Sequence, residues 1–214
     1  MKAVNIGVVG LGRLGIKHAE NLAFKIPKAN LIAVCAMEEE RLEEVKREWG
    51  IPYTYKSFDE MIKNEELDAV LIASPSGLHT GQISKALEAG LHVFSEKPLG
   101  TSVEECKIAE KAVEKYKDKV FMLGFMRRYD ESYLFAKEKI KSGEIGKPIL
   151  FRGYSQDPEK FIEGAIAYAG HSGGEFLDMS VHDIDLARWY LDSEPEEVYA
   201  IGSCYAHPEF AEHK

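Results

Sequence analysis

Two separate segments of the chain carry the side chains best suited to proton chemistry. Lys97 stands in the first, Ser95-Glu96-Lys97-Pro98, directly after a short apolar run. Pro98 restricts the residue before it to an extended conformation. A lysine held there can donate a hydrogen bond to a substrate hydroxyl and favour loss of its proton. An exposed lysine before a turn proline explains the same spacing equally well.

The second segment is a helix predicted from about Glu175 to Leu191, in which Asp178 and His182 lie four residues apart. Residues at this spacing share one helix face, so the carboxylate can orient the ring or bind the same hydroxyl. Histidine is the side chain that exchanges a proton most readily near neutral pH. The preceding Gly173-Gly174 would let backbone approach a ligand. A helix acid and a histidine bonded inside the core account for the pattern equally well.

A glycine-rich turn with the pattern GxGxxG follows the first apolar run and contains Gly10, Gly12, Arg13, Leu14 and Gly15. The first glycine permits a tight turn, the second lets a pyrophosphate approach the backbone, and the third lets helix and strand pack closely. The N-terminus of the following helix offers free N–H groups to phosphates. A turn without a ligand is the alternative, but the strand–turn–helix context favours a dinucleotide site.

The residues after the second predicted strand bear on the choice between NAD and NADP. Ala36 occupies the position where an acid usually holds the ribose hydroxyls. Glu38 lies close and can replace that acid, whereas Arg41 can either pair with a 2′-phosphate or lie on the solvent face of its helix. Because residues 36–40 contain no Arg or Lys, we predict NAD as the cofactor, with NADP not excluded.

Short apolar runs alternate with helical patterns in the first part of the chain. Ser57 with Glu60, and Ser102 with Glu105, predict capping boxes that open two of the helices. Near-continuous apolar runs are typical of parallel strands that are buried on both faces. The predicted strands are Val4–Val9, Leu31–Cys35, Tyr53–Tyr55, Ala69–Ala73, His92–Ser95 and Val120–Gly124. This order predicts an α/β fold in which residues 1–125 form a doubly wound parallel sheet, a Rossmann domain.

The regular alternation of strands and helices ends after Phe125, and residues 126–214 are predicted to form a second, substrate-binding domain. The elements predicted there are a helix over Asp130–Ser142, a strand over Ile149–Ser155, a polar loop over Asp157–Gly173, the helix that contains His182, and a strand over Glu197–Ser203. This order indicates a second domain that combines helices and strands.

Composition excludes several classes of function. The 214 residues carry a formal charge of −9, which argues against nucleic acid or an anionic membrane as the main partner. Cys35, Cys106 and Cys204 show no metal-ligand spacing, so we expect reduced thiols, no metal and a cytoplasmic location. No apolar stretch is long enough to span a bilayer.

The sequence also resembles the Gfo/Idh/MocA family of sugar and polyol oxidoreductases, and within it the inositol 2-dehydrogenases. Five motifs occur in the family's order, and the resemblance runs from Val4 to the end of the chain. They are GLGRLG at 10–15, SPSGLH at 74–79, SEKP at 95–98, GFMRRYD at 124–130 and GGEFLDMSVHDID at 173–185.

The resemblance implies roles for individual residues. The family's catalytic lysine falls on Lys97, its substrate-binding aspartate on Asp178 and its proton-transferring histidine on His182. The implied cofactor contacts beyond the glycine turn are Ser74, His79, Glu96 and Lys97. The implied substrate contacts are Lys97, Arg127, Asp157, Asp178 and His182.

The implied reaction is NAD(P)-dependent hydride transfer between the nicotinamide and a hydroxyl of a cyclic polyol or sugar. His182 would take the hydroxyl proton and Lys97 would steady the developing alkoxide. A homo-oligomer would form through the open sheet of the second domain. The alternatives are a non-catalytic dinucleotide sensor or remnant on the same fold, and another sugar dehydrogenase of the family.

Three departures from the family pattern qualify these expectations. Ala36 replaces the usual acid, and Met126 replaces the asparagine common in this motif. The chain also stops at Lys214, whereas family members continue beyond it. The resemblance therefore implies a partial α+β substrate domain with an open sheet, and we expect its lone last strand to pair with a partner chain.

Overall fold

The computed structural model describes residues 3–213 and divides into two compact units, one up to Gly124 and the other from Phe125 onward. Each unit is described by itself. The assignment of residues 1–125 to the cofactor and 126–214 to the substrate stays a prediction.

The first unit is built on a six-stranded parallel sheet with the strand order β3-β2-β1-β4-β5-β6. The strands are β1 Val4–Val9, β2 Ala29–Cys35, β3 Tyr53–Tyr55, β4 Ala69–Ile72, β5 His92–Ser95 and β6 Phe121–Leu123. The strand order reverses at β1, so the carboxyl ends of β1 and β4 border the crevice where such sheets bind ligands. The predicted α/β class and Rossmann sheet are confirmed.

Five helices connect these strands: α1 Gly15–Phe24, α2 Glu39–Trp49, α3 Phe58–Met61, α4 His79–Glu88 and α5 Val103–Lys115. The capping prediction holds for α5, where Ser102 Oγ accepts a hydrogen bond from the Glu105 amide at 3.2 Å. It is wrong for α3, where Ser57 stands at the N-cap without a side-chain cap bond. That helix is only four residues long. It therefore has a small dipole and few backbone hydrogen bonds that a cap could continue.

Two apolar clusters sandwich the sheet, and they explain why the strands read as continuous apolar runs. Val8 belongs to one cluster with Val34 and Leu71, whereas its neighbour Val9 belongs to the other with Ile72. Successive strand residues point to opposite faces, so a strand covered on both sides needs apolar residues at every position.

The second unit contains α6 Glu131–Lys141, α7 Ile162–Ser172 and α8 Val181–Leu191. A π-helical turn, Phe176–Ser180, leads into α8. Short 3₁₀ turns lie at Met126–Tyr129, Glu159–Phe161 and Pro208–His213.

The two strands predicted in this unit, Ile149–Ser155 and Glu197–Ser203, are wrong for the described residues. Both segments are irregular, and no residue between 3 and 213 pairs with them in a ladder. A strand is defined by hydrogen bonds to a neighbour, so an apolar pattern alone cannot produce one. The pattern instead leaves apolar side chains exposed, including Ile149 at 92% and Val198 at 83%. The predicted open sheet is therefore not formed within residues 3–213.

The predicted loop over Asp157–Gly173 is also wrong, because most of it is α7. Its glycines suggested a loop, but Ala165, Ala167 and Ala169 are the strongest helix formers and outweigh them. Gly173, with a φ of +79°, ends the helix in the left-handed region.

The helix predicted from Glu175 to Leu191 is helical throughout, but its first turn is a π-turn. A π-turn holds one more residue than an α-turn, so it shifts the helical register. Asp178 lies in the π-turn, and His182 lies in the first turn of α8.

Two consecutive arginines bind the start of this unit to α8. Arg128 makes two hydrogen bonds to the carboxylate of Asp185, at 2.7 and 2.8 Å, and its guanidinium lies over the Trp189 ring. Asp185 is only 4% exposed. Arg127 bonds Asp183 at 2.6 Å. Because a buried carboxylate is costly without a partner, Arg128 is the more important of the two for stability.

We expect Arg128→Ala to destabilise the second unit by about 2–3 kcal/mol, because it leaves the Asp185 carboxylate buried and unpaired. Arg188→Ala is the matched control: its two-pronged bond to Glu194 is exposed on both sides and should cost about 1 kcal/mol or less. Urea unfolding followed by hydrogen exchange in α8 measures both. Equal losses in the two variants would show that burial of Asp185 does not matter.

Candidate functional site

The glycine turn after β1 has two crowded positions and one open one. A Cβ atom at Gly10 would lie 2.5 Å from the Ala73 carbonyl oxygen, and one at Gly15 would overlap the Gly10 carbonyl oxygen. Gly10 also has a φ of +87°, which side chains disfavour. At Gly12 no atom lies within 4 Å of the same position. The crowded glycines close the turn, and the open one leaves room for a ligand against the backbone.

The start of α1 suits an anion. The helix begins at Gly15, and its first turn contains no acidic residue to compete for the free N–H groups. Leu14 is the N-cap residue and is exposed, and Arg13 beside it is exposed as well. Together with the space above Gly12, this arrangement fits the pyrophosphate of a dinucleotide.

The residues at and after the end of β2 differ in how accessible they are to the ribose of a bound dinucleotide. Ala36 is buried, and its amide donates to the Tyr55 carbonyl at 3.1 Å, which extends the pairing with β3. Glu38 is the exposed N-cap residue of α2 and is accessible to a ligand. Arg41 pairs with Glu44 at 3.2 Å on the exposed face of α2, which favours the solvent-face interpretation of this arginine.

The thiol beside this edge is inert. Cys35 is the last residue of β2, and burial raises its pKa to about 11. It therefore stays protonated near neutral pH, and a protonated thiol is neither a nucleophile nor a metal ligand.

The contact of His79 with the cofactor stays a prediction, and the structure shows what surrounds this ring. Its ring is 1% exposed, with Nδ1 lying 2.8 Å from the Pro98 carbonyl oxygen and Nε2 lying 2.8 Å from the Ser74 carbonyl oxygen. The ring thus lies between two backbone carbonyls and links the segments after β4 and β5. Ser74 Oγ donates to Gln82 Oε1 at 2.5 Å, so a ligand can use this hydroxyl oxygen only as an acceptor.

The segment after β5 carries Lys97, which is half-buried and follows the strand by two residues; the Lys97–Pro98 peptide bond is cis. Glu96, predicted as a cofactor contact, has its carboxylate 2.7 Å from Nε2 of His18. The Glu96 side chain is therefore bound to α1, and its role at the cofactor stays a prediction.

Sequence reasoning missed His18, although a signal was present. The core-facing residues of α1 are Gly15, Ala19 and Leu22, and His18 fills the remaining position of this i, i+3, i+4, i+7 stripe. A histidine on a core-facing stripe needs a polar partner, and here the partner is 78 residues away in Glu96.

In the second unit, Asp178 and His182 are half-buried, and the His182 ring stands edge-on to Phe125 with ring centroids 6.4 Å apart. Glu175, which sequence reasoning also missed, stands at the start of the same helix. Its pKa is raised, first by desolvation and then by the negative charges of Asp178 and Asp157. The three carboxyl groups thus form an electronegative region, in which the predicted contact Asp157 is exposed.

Arg127 is less available to a substrate than predicted. Besides its bond to Asp183, its guanidinium donates to Ser155 Oγ at 2.9 Å, and Ser155 in turn donates to Asp183. A Cβ at Gly153 would lie 2.9 Å from the Asp183 carboxylate, so glycine lets this segment approach the pair. The arginine charge is balanced within the protein, and a direct contact to substrate stays a prediction.

Two kinds of feature are absent from residues 3–213. No group of three or more His, Cys, Asp or Glu side chains in this range is arranged to hold a metal ion. Within the same range, none of the helices has the length and apolar character needed to cross a membrane.

Comparison with protein families gives two matches along the chain. Residues 4–125 match a model described as an oxidoreductase family with an NAD-binding Rossmann fold, and residues 133–213 match the GFO/IDH/MocA C-terminal domain.

Curated relatives and solved structures agree with these matches. The scyllo-inositol 2-dehydrogenase (NAD(+)) of Bacillus subtilis is 41% identical over 96% of this chain and 59% of its own length. The myo-inositol 2-dehydrogenase of Thermotoga maritima is 40% identical over 94% of this chain and 58% of its own. A crystal structure of scyllo-inositol dehydrogenase from Lactobacillus casei with bound NAD(H) and scyllo-inositol superposes with a TM-score of 0.93 at 43% identity, over 99% of this chain and 63% of that one. The chain thus spans about three fifths of the length of these relatives.

We expect Gly12→Ala and Gly15→Ala to have opposite consequences. A methyl group at Gly12 meets no protein atom, so it should change the free energy of unfolding by less than about 1 kcal/mol. It enters the space above the turn and should weaken dinucleotide binding about tenfold or more. Gly15→Ala should unfold or strongly destabilise the first unit, because the methyl group overlaps the Gly10 carbonyl. Thermal melting and NADH fluorescence titration measure both effects, and unchanged NADH affinity in Gly12→Ala would count against a dinucleotide at this turn.

Proposed function

The chain belongs to the Gfo/Idh/MocA family of oxidoreductases, and from that premise we propose that it acts as an NAD-dependent, inositol 2-dehydrogenase-like enzyme on a hydroxyl of a cyclic polyol. The observation that carries the proposal is the edge of the sheet in the first unit. There the space above Gly12 and the Lys97 turn lie at carboxyl ends of strands of one parallel sheet. Ligands of such sheets bind at that edge.

The residues of this chain divide the chemistry between them. Bound NAD supplies the acceptor for the hydride that leaves the carbinol carbon. His182 accepts the hydroxyl proton, and Asp178 holds either the histidine ring or a neighbouring substrate hydroxyl. Lys97 stabilises the negative charge that develops on the oxygen, because a compact ammonium can donate directly to an alkoxide.

The substrate class follows from the relatives. One relative is named for scyllo-inositol and another for myo-inositol, and a related structure holds scyllo-inositol beside NAD(H). We therefore propose inositols as the substrates to test first. The electronegative region of Glu175, Asp178 and Asp157 supports this choice, because carboxylates accept hydrogen bonds from polyol hydroxyls.

A cytoplasmic location and self-association also belong to this proposal. The support for self-association is the exposed apolar side chains of the second unit, among them Ile149, Tyr154, Val198 and Tyr199. Large exposed apolar patches on a protein often mark sites of association with another protein. Sedimentation analysis tests it, and a monomer at every concentration would contradict it.

For the cofactor, we expect NAD to bind more tightly than NADP, because the exposed Glu38 carboxylate can accept from a ribose hydroxyl and would repel a 2′-phosphate. Glu38→Gln should reduce this preference about tenfold, in line with the loss of one charged hydrogen bond at an exposed site. Glu40→Gln, an exposed acid of the same helix, is the control. Titration with both cofactors decides, and tighter binding of NADP by the unaltered chain would disprove the assignment.

For catalysis, we expect His182→Ala to lower turnover of the best inositol by about 10²–10⁴-fold, the usual contribution of positioned proton transfer. Dinucleotide affinity should change little, because the glycine turn holds the phosphates. Lys97→Arg should also lower turnover, since a planar guanidinium cannot replace a compact ammonium at the hydroxyl. His171→Ala removes an exposed histidine of the same unit and serves as the control.

Steady-state turnover on scyllo- and myo-inositol, beside dinucleotide titration of each variant, measures these effects. Near-parental turnover in His182→Ala would make this histidine a packing residue. Tight NADH binding by the unaltered chain without turnover of any polyol would favour a dinucleotide sensor instead.

A further inference from the structure

His18 and Glu96 form a bond that the proposed chemistry does not use. Nε2 of His18 lies 2.7 Å from Oε1 of Glu96, and both side chains are largely shielded from solvent. A carboxylate only accepts hydrogen bonds, so the imidazole N–H donates. The His18 ring also packs at a tilt against Phe94 of β5, with ring centroids 5.7 Å apart. The contact joins α1 to the residue directly before Lys97.

The residue after Lys97 is held as well. The Pro98 carbonyl oxygen lies 2.8 Å from Nδ1 of His79, and Thr80 Oγ1 donates to the Leu99 carbonyl at 3.1 Å. His79 and Thr80 both belong to α4. Lys97 therefore stands between two neighbours that are fixed by different helices, one through a side chain and the other through the backbone.

The Glu96 carboxylate lies between His18 and the backbone at Gly124. A Cβ atom at Gly124 would lie 3.2 Å from Oε2 of Glu96 and 3.2 Å from the Phe94 ring, so the glycine leaves the carboxylate the space that it occupies. Loss of the imidazole N–H would remove the hydrogen bond by which α1 holds this carboxylate.

We propose that His18 is a positioning residue, which acts through Glu96 to fix the orientation of Lys97. The same bond links the helix that receives the dinucleotide phosphates to the turn that carries the lysine. The inference rests on the proposed function for its effect on turnover, but not for the effect on Lys97 itself. Misplacement of a reacting group by about 1 Å costs up to about 10²-fold in rate, so the bond is worth testing by kinetics.

Two substitutions separate the hydrogen bond from the packing of the ring. His18→Phe keeps an aromatic ring against Phe94 but has no donor. His18→Gln loses the ring but places an amide N–H near the position of Nε2. If the bond positions Lys97, His18→Phe should lower kcat about 10- to 100-fold, while His18→Gln should stay within about threefold of the unaltered chain. Glu20→Gln, which breaks an exposed pair with Lys25 on the same helix, is the control.

A spectroscopic measurement reports on Lys97 without any turnover. Lysines of the whole chain are labelled by reductive ¹³C-methylation, and the Lys97 signal is identified by its loss in Lys97→Arg. His18→Phe should shift this signal, and His18→Gln should restore it. If the unaltered chain turns over no polyol, the proposed function fails while this measurement still decides the inference. An unshifted Lys97 signal in His18→Phe would overturn the positioning role, and so would equal impairment by the two substitutions.

Discussion

The chain passes from β1 into α1 through a space that admits no side chain at Gly10 or Gly15. Gly10 presses against the backbone at Ala73, and Gly15 presses against the Gly10 carbonyl. This double contact brings the start of α1 down onto the carboxyl ends of β1 and β4. The free amides of the helix therefore face the point at which the strand order reverses, and the bare backbone at Gly12 lies open beside them. The proposed contacts of the dinucleotide pyrophosphate depend on this crossing.

The same crossing brings His18 of α1 against Phe94 of β5. His18 continues the stripe that Gly15 begins, so close packing at the glycine brings the imidazole within reach of Glu96. A looser contact between β1 and α1 would move the amides proposed to bind the phosphates away from the segment that carries Lys97. The tight one makes the two parts of the site a single packed structure in the first unit.

The apolar runs predicted all six strands of the first unit, because burial on both faces imposes a pattern that local sequence displays. In the second unit the same reasoning failed for Ile149–Ser155 and Glu197–Ser203, since pairing depends on a neighbour and the pattern only on the strand. It failed for α7 because Gly164 and Gly170 were given more weight than the alanines between them. The π-turn before α8 was invisible, because the hydrogen-bond register of a helix leaves little trace in residue types.

The histidines show most clearly which features of the candidate site could not be predicted from the sequence. The motif of His79 predicts a cofactor contact, and the structure shows this ring buried between the backbone carbonyls of Ser74 and Pro98. His18 carried no motif, yet it contacts the residue beside the proposed catalytic lysine. Residue type and local spacing identify a side chain that can move a proton or hold a hydrogen bond. Which of the two it does is decided by partners that the fold brings from distant segments, and for His18 the distance is 78 residues. The buried imidazole of His79 links two backbone segments, whereas that of His182 lies half-buried on α8, as the proposed proton transfer requires.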